Sequence, residues 1–317
     1  MNLDQLKSFL TVADLGHFTR AAEQLHLAQP SLSRQIATLE SELESQLFHR
    51  ARGNITLTPA GEALVPLASR MLADADRIRH QMQELAGLRA GRVRLGAPPS
   101  MCISLVAMVL GEFHRRYPGI ELHLSEAGSR LLLEQLSAGQ LDLALVVASE
   151  HEPAAFESLD DIPLLSEELM VIAAKAGQLP AAQGPLSLAQ LAPVPQIVFS
   201  PSYDLRAATM QAYRSCNLEP NVVLEGGEMD AVLRFVQLGL GVAVVPATVL
   251  LDRSEFHTRR LEQPSLTRTI SLAHRKDVGL TRAAATMQQM ITATAAQLAG
   301  RSPAINALAA AAPGAQR

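Results

Sequence analysis

Four polar side chains stand together near the start of the chain. Ser31, Ser33, Arg34 and Gln35 follow Pro30 in the stretch AAEQLHLAQPSLSRQIATLE, residues 21–40. Their chemistry is recognition by hydrogen bonding. An arginine fork fits guanine, a carboxamide fits adenine, and a small hydroxyl reaches a phosphate or a base edge. A helix start adds free N–H groups for a phosphate. A second cluster, FHRARGN, sets Arg50 and Arg52 beside Gly53, well placed to touch DNA backbone or the minor groove.

Two short helices must position the first cluster. Phe18, Ala22 and Leu25 recur at helical spacing, and after a brief stop so do Leu32, Ile36, Leu39 and Leu43. Ala21 and Ala22 keep the contact face small enough for a steep crossing. Leu3, Leu6, Phe9, Leu10 and Ala13 mark an earlier helix ending at Gly16. Ile55 and Leu57 alternate after the arginine turn, which predicts a small hairpin, or wing. A plain solvated helix start has a similar composition, and charge does not decide the matter. Residues 1–58 hold five Lys and Arg against six Asp and Glu. Binding would rest on few phosphate contacts per subunit, so two or more subunits are needed.

Thr58 and Pro59 suit a helix start. From there Leu64, Ala68, Met71, Ala75, Ile78, Met82 and Leu85 alternate at four and three, a heptad seam that calls for a partner helix. From Gly91 the period changes. GRVRLGAP, IELHLSEA and LDLALVV read as strands separated by helices, and LMVIAAK, QIVFS, NVVLEG and VAVVPA form a second set. An acidic junction over 160–168 divides them into two α/β lobes. TRTISLAHR and the helix from Leu280 return to the first lobe.

A pocket between such lobes is lined by strand ends and helix starts. The candidate starts are Pro99-Ser100-Met101, Gly128-Ser129, Pro201-Ser202 and Gly227-Glu228-Met229. Hydroxyls and N–H groups there suit a small carboxylate. The same serines could be ordinary caps. Met101, Phe199 and Met229 could wall the pocket or belong to the core.

Other functions lack support. The N-terminus carries Asp4 and no long apolar run, so no secretory leader and no membrane span are expected, and the chain is placed in the cytoplasm. Cys102 and Cys216 lie far apart and read as reduced thiols. The nine histidines lack metal-ligand spacing. There is no GxSxG, HExxH or phosphate loop, and GLGVAVVP at 239–246 resembles a glycine-rich loop only loosely. Hence no catalytic residues, cofactor or metal are expected, and the chain is not read as an enzyme. A solute-binding or sensor protein without promoter-specific regulation is the rival; it leaves the first 90 residues unexplained.

FTRAAEQLHLAQPSLSRQIATLESELESQLFHR followed by LTPAGEAL resembles the N-terminal domain of the LysR-type transcriptional regulators. The resemblance extends over roughly residues 1–298. It implies a winged helix-turn-helix domain (1–58) and a linker and dimerisation helix (59–89). A two-lobed α/β effector domain like a periplasmic binding protein follows (90–300), with lobe I about 91–161 plus 268–300 and lobe II about 162–267. Residues 301–317, rich in Ala, Pro and Gly, are left as a disordered tail. By the same resemblance Gln29, Pro30, Ser31, Ser33 and Arg34 approach promoter DNA, Arg52 is the wing arginine, and the inducer sits at the first and third helix starts, near Ser149. Dimers through the linker, a homotetramer through the effector domains and a small-molecule effector are implied partners.

Overall fold

A computed structural model describes residues 1–51, 54–85, 91–148, 159–181, 184–201, 203–262 and 264–308. Arg52, Ser149 and Ser202 lie outside these residues, and Arg50 is described as backbone only.

The first unit is helical. Helix α1 (Leu3–Leu15) opens with a reciprocal cap between Asn2 and Gln5, which satisfies donors a helix start would leave unpaired. It is followed by α2 (Phe18–Gln24) and α3 (Gln29–Glu42). His26 takes a left-handed conformation (φ 55°), and Leu27 N–H bonds Ala22 O at 2.8 Å, which fixes the turn between α2 and α3. Leu6, Phe9, Ala22, Leu32, Ile36 and Leu39 form the core. Strands β1 (Phe48–Ala51) and β2 (Asn54–Leu57) pair antiparallel as the expected hairpin. Phe48 roots it, with ring centroids 5.4 Å from Phe9 and 5.9 Å from Phe18.

Helix α4 (Pro59–Leu85) starts where Thr58 Oγ1 accepts Gly61 N–H at 3.1 Å. A Cβ at Gly61 would stand 2.2 Å from Leu47 O, so only glycine lets the helix sit this close to the hairpin. The heptad seam divides. Leu64 and Ala68 pack into the helix-turn-helix core, whereas Met71, Ile78 and Met82 are exposed, as is Leu67.

The second unit begins with β3 (Gly91–Ala97), α5 (Pro99–Met101), a π-turn over Cys102–Val106 and α6 (Ala107–Arg116). Then come β4 (Ile120–Glu126), α7 (Ser129–Ser137) and β5 (Leu143–Val147). Strand β6 (Leu159–Ala173) is long, and the expected acidic junction is its first part. Pro163 lies where its register with a later strand shifts, which hides the alternation a strand normally shows. Next come α8 (Leu188–Leu191), β7 (Gln196–Val198), α9 (Asp204–Ser215), β8 (Val222–Glu225), α10 (Met229–Gln237), β9 (Ala243–Pro246) and β10 (His257–Arg260). The chain closes with β11 (Thr267–Arg275), α11 (Arg282–Ala299) and β12 (Ile305–Ala307).

The sheet order is β10-β6-β11-β5-β3-β4, with β9 and β12 also on β6. β3 runs parallel to β4 and β5, and β11 antiparallel to β5 and β6. β6 and β11 therefore carry the chain between lobes. One apolar core lies under α6 and α11, and another fills the second lobe around Tyr213, Val232 and Val245. The glycines of GLGV serve a turn: Gly239 is left-handed (φ +82°), and a Cβ at Gly241 would meet Pro195 O at 2.7 Å.

The tail expected from 301 onward is corrected in its first part. Ile305–Ala307 pair with Glu167–Leu165, and Ala304 and Ile305 are buried in the first lobe's core. Burial of Ile305 and the backbone bonds to β6 give this segment enough to order it. Residues 309–317 lie outside the described residues.

Candidate functional site

The start of α3 has no side-chain cap at Ala28, and Pro30 sits in its first turn. Gln29, Pro30, Ser31 and Arg34 are exposed and Ser33 is half-buried, while Leu32, Ile36 and Leu39 hold the opposite face in the core. Thr19 of α2 donates its hydroxyl to Gln29 Oε1 at 3.1 Å. That bond turns the carboxamide so that its NH2 group is the end left for recognition. Gln35 is half-buried, and its Oε1 accepts the Ser8 hydroxyl of α1, so this side chain also joins two helices. Geometrically this is an exposed polar edge at a helix start, backed by the buried Leu32, Ile36 and Leu39.

The second constellation lies where the two effector lobes meet. Glu167 on β6 and Arg268 on β11 form an ion pair with side chains 0% and 6% exposed. Thr248 N–H donates to Glu167 Oε2 at 2.8 Å, so both carboxylate oxygens are satisfied. Arg268 Nη2 also donates to Ser100 Oγ at 2.8 Å. Ser100 N–H donates in turn to the Tyr203 hydroxyl, 2.9 Å away in the second lobe. Burial pushes the Tyr203 phenol above its ordinary pKa, with the Arg268 charge pulling the other way, so it is a neutral hydroxyl.

Beside it, Asp204 accepts two bonds from Ser129, from N–H at 3.0 Å and from Oγ at 2.6 Å. Ser129 Oγ also accepts Val147 N–H at 2.9 Å. This serine thus ties the end of β5 to the start of α7 and both to the second lobe. Cys102 lies close by in the π-turn. Burial first, and then the Glu126 charge, push its thiol up to about 12, so it stays protonated and poorly nucleophilic.

Residues 3–62 match the bacterial regulatory helix-turn-helix protein, lysR family, and residues 86–296 match the LysR substrate binding domain. The chain belongs to the LysR family. This LysR-type regulator is 32% identical over 291 residues to the uncharacterized HTH-type transcriptional regulator YybE of Bacillus subtilis, covering 92% of this chain and 98% of the relative. It is 33% identical over 277 residues to a probable nitrogen assimilation transcriptional activator of Synechococcus elongatus, with 86% and 88% covered. Its fold is similar to that of CbnR, a LysR family transcriptional regulator, at a TM-score of 0.66 and 22% identity, over 93% of this chain and 99% of that one. As a LysR-type regulator the chain is a DNA-binding transcriptional regulator whose activity is modulated through an effector domain, and these relatives are regulators of transcription. Among the described residues no helix is long and apolar enough to cross a membrane.

The junction between the lobes of this LysR-type regulator differs from the sequence expectation in particulars. Ser100 and Ser129 do face the second lobe. Met101, Phe199 and Met229 serve the cores, since their apolar side chains are wholly enclosed there, and Pro201 is exposed. Tyr203, Asp204, Glu167 and Arg268 were not singled out from sequence. The one available signal was that Tyr203 and Asp204 stand directly after the Pro201-Ser202 helix start.

Proposed function

We propose that this regulator reads a partly palindromic promoter site with Gln29, Pro30, Ser31, Ser33 and Arg34 at the start of α3, while Arg50 and Arg52 of the hairpin touch the DNA backbone. A single helix-turn-helix with no excess of basic residues needs a second copy to bind tightly. The exposed Met71, Ile78 and Met82 of α4 fit a dimer of linker helices, and effector domains then join dimers into a homotetramer. The effector is a small organic acid held between the lobes at Ser100 and Ser129, and Ser149, Pro201 and Ser202 are the further residues expected to bind it. It shifts how the dimers sit on DNA by its difference in affinity for two cleft shapes. The protein works in the cytoplasm, where its promoter DNA is.

The observation that carries the DNA half is the split of α3 into an exposed polar start and a buried Leu32-Ile36-Leu39 stripe. Selection of random duplexes by the full-length chain tests it. Enrichment of a two-part site with half-sites about one or more helical turns apart is expected. Recovery of unrelated sequences would overturn sequence-specific reading.

A further inference from the structure

Three donors of the first lobe point across the cleft: Ser100 N–H, Ser129 N–H and Ser129 O–H. Each already has an acceptor, and the two acceptor oxygens, the Tyr203 hydroxyl and Asp204 Oδ2, belong to consecutive residues of the second lobe. Tyr203 supplies a neutral hydroxyl and Asp204 a carboxylate. Together they have the chemistry expected of an effector: one negative charge and a second oxygen acceptor. The Asp204 carboxylate also lies in the first turn of its own helix, α9, while accepting the first N–H of α7. Two helix starts therefore favour the same anion.

We propose that Tyr203 and Asp204 are a built-in occupant of the effector cleft, and that an incoming effector binds by displacing them from Ser100 and Ser129. This rests on the assignment of the cleft as the effector site. The charge balance narrows the ligand class. Among the described residues Arg268 is neutralised by Glu167 and offers Ser100 a hydrogen bond but no net charge, and Arg206, two residues after Asp204, is already paired with Glu225. The donors vacated by Asp204 accommodate a single carboxylate, and a second anionic group would lack a counter-charge. The fitting ligand is a monocarboxylate with a further hydroxyl or keto oxygen for Ser100 N–H. Because the latch must open first, it weakens the apparent affinity by the fraction of molecules in which the cleft is vacant.

The experiment is chemical rescue in the full-length chain. Asp204→Ala leaves the Ser129 donors without their carboxylate, and acetate can take its place. In thermal melts with acetate against chloride at equal ionic strength, acetate should raise the Tm of Asp204→Ala but not that of the unaltered chain. Adding Ser129→Ala should abolish the rise. Lactate should bind Asp204→Ala about tenfold or more tighter than it binds the unaltered chain. Equal acetate shifts in both proteins, or a shift that survives Ser129→Ala, would overturn the proposal. Should Asp204→Ala fail to fold, Asp204→Asn keeps the shape and loses the charge. Faster amide exchange over residues 128–132 is then expected, and unchanged exchange refutes the latch. Acetate rescue with an operator footprint that no acid alters supports the latch and counts against gating alone.

Discussion

One oxygen of Glu167 receives both Nε and Nη2 of Arg268, at 2.9 and 2.8 Å, where the strands β6 and β11 run side by side. Both residues belong to strands that carry the chain between lobes, so the ion pair sits at the junction of the two lobes. Removing one member strands a charge with almost no access to water. Glu167→Leu should lower stability by about 3–5 kcal/mol in denaturant unfolding, and adding Arg268→Met should restore much of it. A loss below about 1 kcal/mol would mean that water reaches the guanidinium.

Arg34→Ala should cost roughly 1–3 kcal/mol of binding to the selected site if the guanidinium grips a base with both arms. Gel-shift titration against that site and a scrambled duplex separates the roles. Equal loss on both would make Arg34 a phosphate contact.

Met71→Lys with Ile78→Lys places charges on the exposed part of the α4 seam. Sedimentation should show a smaller species, with affinity for the two-part site lost, since facing lysines repel and lose their apolar partners. An unchanged mass would refute the linker-helix dimer.

Gly61→Ala should destabilise the helix-turn-helix domain, because its Cβ would collide with the Leu47 carbonyl and neither backbone can yield cheaply. Overpacking of this kind costs about 1–3 kcal/mol. A melting temperature equal to that of the unaltered chain would show that the close approach relaxes freely.

The thiols should differ in reactivity. Cys216 is exposed and should alkylate quickly in native protein at pH 8, while Cys102 should label only on unfolding. The pH dependence has a definite sign. The Cys102 thiol is raised from 9.0 to about 12 on folding, so its contribution to stability is whole below pH 9 and drains away as pH rises from 9 towards 12. Cys102→Ala should flatten that decline. An unaltered alkaline slope would assign it to other groups.

What was legible from sequence was local. The α3 stripe of Leu32, Ile36 and Leu39 and the exposed Arg34 opposite it are separated by single helical turns, so spacing alone places them. The cleft is a different case. Arg268 meets Ser100 across 168 residues, Tyr203 meets it across 103, and Asp204 meets Ser129 across 75. No period in the sequence records such pairings: the return of β11 beside β6 brings Arg268 to Ser100, and the start of α9 brings Tyr203 and Asp204 to Ser100 and Ser129. The α4 seam shows the opposite failure. Its spacing is uniform from Leu64 to Leu85, yet Leu64 and Ala68 pack into the core of their own domain, because a seam pattern does not say what covers it. In the same way the Ala-rich segment concealed Ile305, whose burial with Ala304 and backbone pairing to β6 fasten a strand.

That last strand sets an order of events during synthesis. The helix-turn-helix domain and the second lobe are each made of consecutive residues, so each can fold as it leaves the ribosome. The first lobe cannot. Its sheet needs β3, β4 and β5, made before the second lobe, and β11 and β12, made after it. Until β11 and β12 have emerged, the edges of β6 that they cover stay open to strands of neighbouring nascent chains. Completion of the lobe that holds Ser100 and Ser129 is thereby deferred until residues 305–307 have left the ribosome.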